Sequence, residues 1–162
     1  MRVRVPVSAR LAGIILLSLQ VSGTAVAVST LIGVPLGVTL GLKRFLGRKL
    51  VMALLYTGMG FPPVVIGLFV YLLLSRGGPL GSLSLPGLPA LFTPGAMVVA
   101  QTIIAFPLVA GFTMAAVMGV DSALRLQVLA LGATQRQAAW AVMREARVGV
   151  VASIVAGFGS II

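Results

Sequence analysis

LAGIILLSLQVSGTAVAVSTLIGVPLGVTLGL, residues 11–42, contains no charged side chain. A helix needs about 20 apolar residues to cross the hydrocarbon core of a bilayer, so this run is longer than one straight crossing needs and too short for two. A tilted helix, or one bent at Pro35, fits it, and it counts as one crossing. Arg2, Arg4 and Arg10 precede the run, which also fits a secretory signal. The run is about twice the usual apolar length of such a signal, so a retained membrane helix is the expectation.

Outward from this stretch the same text recurs. Lys43, Arg44, Arg48 and Lys49 form a compact basic loop, and a second apolar run follows from Leu50 to Leu74 before Arg76. The segment 77–94 turns to Gly, Pro and Ser, which reads as an extramembrane loop. A third run covers 95–120. Charged residues then return between Asp121 and Arg147, and an uncharged stretch from Val148 ends at Ile162. That last stretch, at about fifteen residues, is too short to span. It is expected to be the start of a fourth crossing in a chain truncated at its C-terminus; a re-entrant or interfacial end is the alternative. The fold class expected is therefore all-α integral membrane. One transmembrane domain fills 1–162, with spans at 11–42, 50–75, 95–120 and an incomplete 148–162, and a cytoplasmic loop at 121–147.

Composition agrees. Of 162 residues, 59% are hydrophobic and 9% charged, and the mean hydropathy is +1.17, more apolar surface than one small soluble core could hide. Histidine and cysteine are absent, and Asp121 and Glu145 are the only acids. Zinc sites, paired carboxylates and nucleophile triads lack their parts, so no catalytic or metal-binding residue is assigned. The net charge of +10 sits in clusters between apolar runs and reads as topology rather than nucleic-acid binding. Placing 43–49 and 121–147 inside puts Lys43, Arg44, Arg48, Lys49, Arg125, Arg136, Arg144 and Arg147 in the cytoplasm. Arg2, Arg4, Arg10 and Arg76 are then outside, so the rule favours an external N-terminus.

Residues 121–147 read as two short helices around a corner. Asp121 or Ser122 caps a helix over Ala123 to Leu131, and Gly132 stands where a left-handed residue ends it. Thr134 and Gln137 have the spacing of a capping box that starts the next helix. Small alanines, Ala133 among them, leave the corner thin, and Arg136 offers a fork of donors to a partner. On the residues alone, a hairpin lying on the membrane and a corner that docks into a partner's groove both fit. A DNA-binding helix-turn-helix does not, because apolar runs flank the segment on both sides.

The stretch LGATQRQAAWAV at 131–142 resembles the EAA loop of ATP-binding-cassette (ABC) importer permeases, whose pattern is E-A-A, three residues, Gly, nine residues, then I-x-L-P. Gly132 takes the glycine position and Val142 the aliphatic one. Leu126, Gln127 and Val128 stand where the family writes E-A-A, and Arg144 and Glu145 replace its Leu and Pro. The wider wording, from LSLQVSGTAVAVSTLIGVPLGVTLGLKRFLGRK through MGFPPVVIGLFVYLLLSRGGPLG and LFTPGAMVVAQTIIAFPLVAGFT to GATQRQAAWAVMREARVGVVASIVAGFG, is similar to the tungstate-type permeases and their molybdate relatives, in which REAR commonly replaces the LP.

The resemblance implies a type I importer in the inner membrane. Two permease copies form the pore, an ABC ATPase subunit binds each coupling corner, and an extracytoplasmic binding protein delivers the oxyanion. Tungstate is the first expectation, with molybdate, sulfate or phosphate as alternatives. No G-x-x-x-x-G-K-[ST] loop occurs, so the chain itself needs no cofactor, and ATP with its magnesium belongs to the partner subunit. Coupling is expected to pass through Gly132, Ala133, Thr134, Arg136, Gln137 and Trp140.

For the translocation path, Pro62 and Pro63 with Gly58 and Gly60 interrupt the second run, either as a bent pore-lining helix or as a packing kink. Gln101 and Thr102, with Ser and Thr of the first run, could offer neutral donors to an anion; the same groups serve as helix-packing glue, which is the favoured reading. Gly111 and Ala115, four apart, could mark a helix contact. A membrane scaffold without a transport role is the alternative class.

Overall fold

The computed structural model describes residues 7–75, 77–79 and 89–162. The expectations for Arg2, Arg4, Arg76 and residues 80–88 of the loop at 77–94 lie outside the described residues, as does that for the side chain of Arg10. Among the described residues, seven helices follow in order: α1 Val7–Leu42, α2 Arg48–Met59, α3 Pro63–Leu74, α4 Pro94–Met118, α5 Ser122–Ala130, α6 Gln135–Glu145 and α7 Arg147–Gly159. No strand occurs among the described residues. Two helices, over Leu11–Leu42 and Pro94–Met118, are each long and apolar enough to cross a membrane, and the α2–α3 pair is so when taken together.

The 36 residues of α1 run unbroken through Pro35. At 1.5 Å per residue they extend about 54 Å against a hydrocarbon core of about 30 Å, so the helix tilts or projects beyond it. α4 starts where Pro94 stands at the first helical position and the Thr93 hydroxyl accepts the Ala96 N–H, two signals that agree on a helix start.

α4 is the hub, and small residues bring its neighbours close. Gly33, Gly37 and Gly41 of α1 meet Val109 and Ala110, then Ala110 and Thr113, then Val117, in ascending order. α1 and α4 therefore run parallel, and the loop at 43–49 and the segment from 121 leave the bundle at the same end. Gly149, Ser153 and Gly157 of α7 meet Ala116, Thr113 and Val109 in descending order, so α7 runs antiparallel to α4. The hydroxyls of Ser153 and Thr113 lie 2.8 Å apart, buried. With lipid as apolar as any side chain, such helices associate through close van der Waals contact and interhelical hydrogen bonds, which glycine and serine rows permit.

α2 returns antiparallel to α4. Leu55 joins Leu40, Ala110 and Met114 in one buried cluster, and Gly58 abuts Pro107. There the path breaks. Gly60 closes α2 by donating to the Thr57 and Gly58 carbonyls, and Pro62 and Pro63 start α3 as its N-cap and first helical residue. The two axes meet at 103°. Two prolines in succession supply no N–H to continue the α2 ladder, so the second run is two helices with an elbow rather than one bent helix. α3 still carries the chain onward: the Tyr71 ring lies 6.4 Å from that of Phe92, just before α4 begins.

Candidate functional site

The corner between α5 and α6 closes on itself with local hydrogen bonds. The Asp121 carboxylate accepts the Ala123 N–H at 2.8 Å and starts α5. At the other end, Gly132 adopts φ +86°; its N–H donates to the Leu129 carbonyl (3.0 Å) and the Ala133 N–H donates to the Val128 carbonyl (3.3 Å). This is the Schellman pattern, which satisfies two carbonyls the helix end would otherwise leave open. Thr134 then caps α6: the Gln137 N–H donates to its hydroxyl oxygen at 3.3 Å, and its own N–H donates to Gln137 Oε1 at 2.7 Å. Arg125 latches the two helices with a 2.9 Å hydrogen bond to Gln135 Oε1.

Gly132, Ala133, Thr134, Arg136, Gln137 and Trp140 thus lie on one continuous corner. Gly132, Thr134, Arg136, Gln137 and Trp140 are exposed and Ala133 is half-buried. The inner side of α6 is seated: Val142 and Ala146 are buried with Val117 of α4, flanked by Val38 and Leu42 of α1. The inner side of α6 thus rests near the ends of both long parallel helices. Arg125 and Gln135 were not singled out in the sequence, because their pairing spans the turn and follows from no fixed spacing. Thr134→Ala is expected to cost about 1 kcal/mol through loss of the N-cap, read as a lowered melting temperature of the detergent-solubilised protein with its helical content retained.

The proposed path residues do not converge. Pro62 and Pro63 are exposed at the elbow, beside an apolar hollow of about 380 Å³ walled by Leu54, Phe61, Ile103 and Phe106. Gln101 instead donates to the Ile161 carbonyl just past the end of α7, and its buried Oε1 has no partner among the described residues. The Thr102 hydroxyl donates to Val98 of its own helix, and its carbonyl accepts from Ser29 of α1. These hydrogen bonds go to helix contacts. Gly111 is buried against Met59 of α2, whereas Ala115 is exposed.

A bundle of apolar helices around α4, with a capped, charged corner at the end where α1 and α4 finish together, defines a multi-pass membrane protein. Residues 33–162 match the model of the binding-protein-dependent transport system inner membrane component family, and the chain belongs to that family. It is accordingly an inner-membrane protein. It is 44% identical over 149 residues to a "Probable anion ABC transporter permease protein" of Haloferax volcanii, covering 92% of this chain and 62% of the relative. It is 36% identical over 145 residues to the "Tungstate uptake system permease protein TupB" of Peptoclostridium acidaminophilum, covering 90% of this chain and 61% of that one. A "Probable molybdenum ABC transporter permease protein" of Haloferax volcanii is 36% identical over 115 residues, covering 68% of this chain and 42% of the relative. The chain thus spans less than two thirds of the length of these relatives.

Proposed function

We propose that the chain is the membrane-spanning permease subunit of an ATP-driven importer of a tetrahedral oxyanion, with tungstate first and molybdate next. The observation that carries this reading is the self-capped α5–α6 corner, exposed on its outer side and seated through Val142 and Ala146 on the ends of α1 and α4. Its rigidity suits transmission of a push from outside the membrane to the helices within it. The names of the relatives supply the anion class. A separate ABC ATPase subunit hydrolyses ATP and grips the corner, an extracytoplasmic binding protein delivers the anion, and a second copy of the chain completes the pore. Gly132, Ala133, Thr134, Arg136, Gln137 and Trp140 form the gripped surface, and the elbow at Pro62 and Pro63 borders the path.

Labelled tungstate uptake at nanomolar supply, in cells carrying or lacking the gene, tests the reading. Gene-dependent uptake that molybdate suppresses and sulfate or phosphate does not is the expected result. Competition by sulfate or phosphate transfers the assignment to that anion. Uptake that is the same in both strains removes the oxyanion reading, and the membrane-scaffold alternative then stands.

A further inference from the structure

At the end of the bundle where α1 and α4 both finish, a hollow of about 310 Å³ opens between the loop at 43–49, the last turn of α4 and the start of α5. Arg44, Arg48 and Arg125 line it, and Asp121 is the only acid in its wall. That carboxylate is already in use as the cap of α5. Arg48 is fixed in place: its Nε donates to the Leu40 carbonyl at 2.8 Å, and one terminal nitrogen lies 3.4 Å from Met118 Sδ. A thioether is a weak acceptor, so this arm of the guanidinium is poorly satisfied by the protein. The side-chain hydrogen bonds of Arg48 and Arg125 reach a carbonyl, a thioether and an amide oxygen, all neutral. Three cations therefore share one hollow with a single counter-charge, an excess of two positive charges. Guanidinium forks match the spacing of phosphate-class oxygens and hold them through paired, charge-assisted hydrogen bonds.

We propose that this hollow binds a tetrahedral, phosphate-class oxyanion, supplied by the headgroup of an anionic lipid or free from solution. The bound anion ties the loop at 43–49 to α5, the first helix of the corner. The hollow lies at the shared end of two helices long and apolar enough to cross a membrane, and basic pockets between such helices are sites that anionic headgroups occupy. This site is distinct from the path at the Pro62–Pro63 elbow, and its test uses no transport readout.

The full chain is reconstituted in nanodiscs of phosphatidylcholine alone or with added phosphatidylglycerol. Inorganic phosphate is titrated into the first set. Melting temperature and lipid retained through native mass spectrometry are read for the parent, Arg44→Gln, Arg44→Gln combined with Arg48→Gln, and Arg144→Gln, at an exposed arginine outside the hollow, as a control. The expected result is stabilisation of the parent by at least one anion. Arg44→Gln should weaken it about tenfold, the size of one charge-assisted hydrogen bond, the double variant should abolish it, and Arg144→Gln should leave it intact. Arg44 is exposed, so its single variant keeps the test usable if the double variant does not fold. A response to phosphatidylglycerol alone assigns the lipid source, and a response to phosphate in pure phosphatidylcholine assigns the free anion. No response, or one equal in all variants, overturns the proposal. So does loss of ATPase-subunit binding in Arg44→Gln without any anion response, which would make the hollow a protein-docking surface.

Discussion

Gly37→Leu is expected to abolish assembled protein in the membrane, while Gly23→Ala in the same helix leaves it intact or slightly more stable. An added Cβ at Gly37 would lie 2.5 Å from the Ala110 carbonyl oxygen, 2.8 Å from Thr113 Cβ and 3.0 Å from the Met114 nitrogen. Two of these are backbone atoms, so no rotamer change relieves the clash and α1 and α4 must part. Alanine at this site would gain about 0.5–1 kcal/mol of helix propensity. Overpacking costs about 1–3 kcal/mol even where side chains can yield, so the steric effect wins for alanine and exceeds that range for leucine. Because α1 packs on the hub helix, the loss does not stay local: the cluster of Leu40, Leu55, Ala110 and Met114 opens with it. At Gly23 nothing lies within 4 Å of an added Cβ. Detergent extraction followed by size-exclusion chromatography and a thermal melt distinguishes the two. A monodisperse Gly37→Leu protein melting like the parent would show that the α1–α4 glycine row is not a close contact.

Gly132→Val is expected to leave a folded protein that no longer supports uptake. Nothing lies within 4 Å of a Cβ added here, so the substitution meets no neighbour. Its only penalty is φ +86°, which a β-branched residue reaches at a cost of about 1–3 kcal/mol. The corner relieves that strain by leaving the left-handed turn, which breaks both Schellman hydrogen bonds and moves Thr134 relative to α5. Asparagine tolerates the same conformation, so Gly132→Asn should keep most of the activity. A drop in uptake of about tenfold or more for valine, with asparagine near the parent, is the pattern expected from strain of this size. Equal loss in both variants would instead mean that a side chain of any kind blocks the docking surface.

The corner was readable in advance because its geometry is set within a few residues. Asp121, Gly132, Thr134 and Gln137 each satisfy backbone groups no more than five positions away, and the structure forms the caps the spacing predicts. The break in the second run was readable as an interruption, since Gly60, Pro62 and Pro63 cannot continue a helix, but not as an angle of 103°. The row Gly33, Gly37, Gly41 was also present in the text as glycines at intervals of four, and its spacing could have marked the α1 face that meets α4. Of Gly111 and Ala115, the other small pair four apart, Gly111 meets Met59 of α2 and Ala115 is exposed.

The sequence by itself determined that this protein is an all-helical membrane protein, where its long apolar helices lie, and how the α5–α6 corner is capped. These follow from hydropathy and from hydrogen bonds closed over a few positions. Beyond the glycine row of α1, the tertiary structure decided which face of each helix is inside and which partner it meets. In α1, exposed Leu16, Leu31 and Ile32 are as apolar as buried Val21, Val26 and Leu40, so polarity marks no inner stripe. Lipid solvates the outer face as well as protein packs the inner one. Partner and direction are therefore set by size and fit, the close approach of Gly33, Gly37 and Gly41 to α4 and of Gly149 and Gly157 to its other side. The same packing brings Arg44, Arg48 and Arg125 into one hollow from segments far apart in the chain.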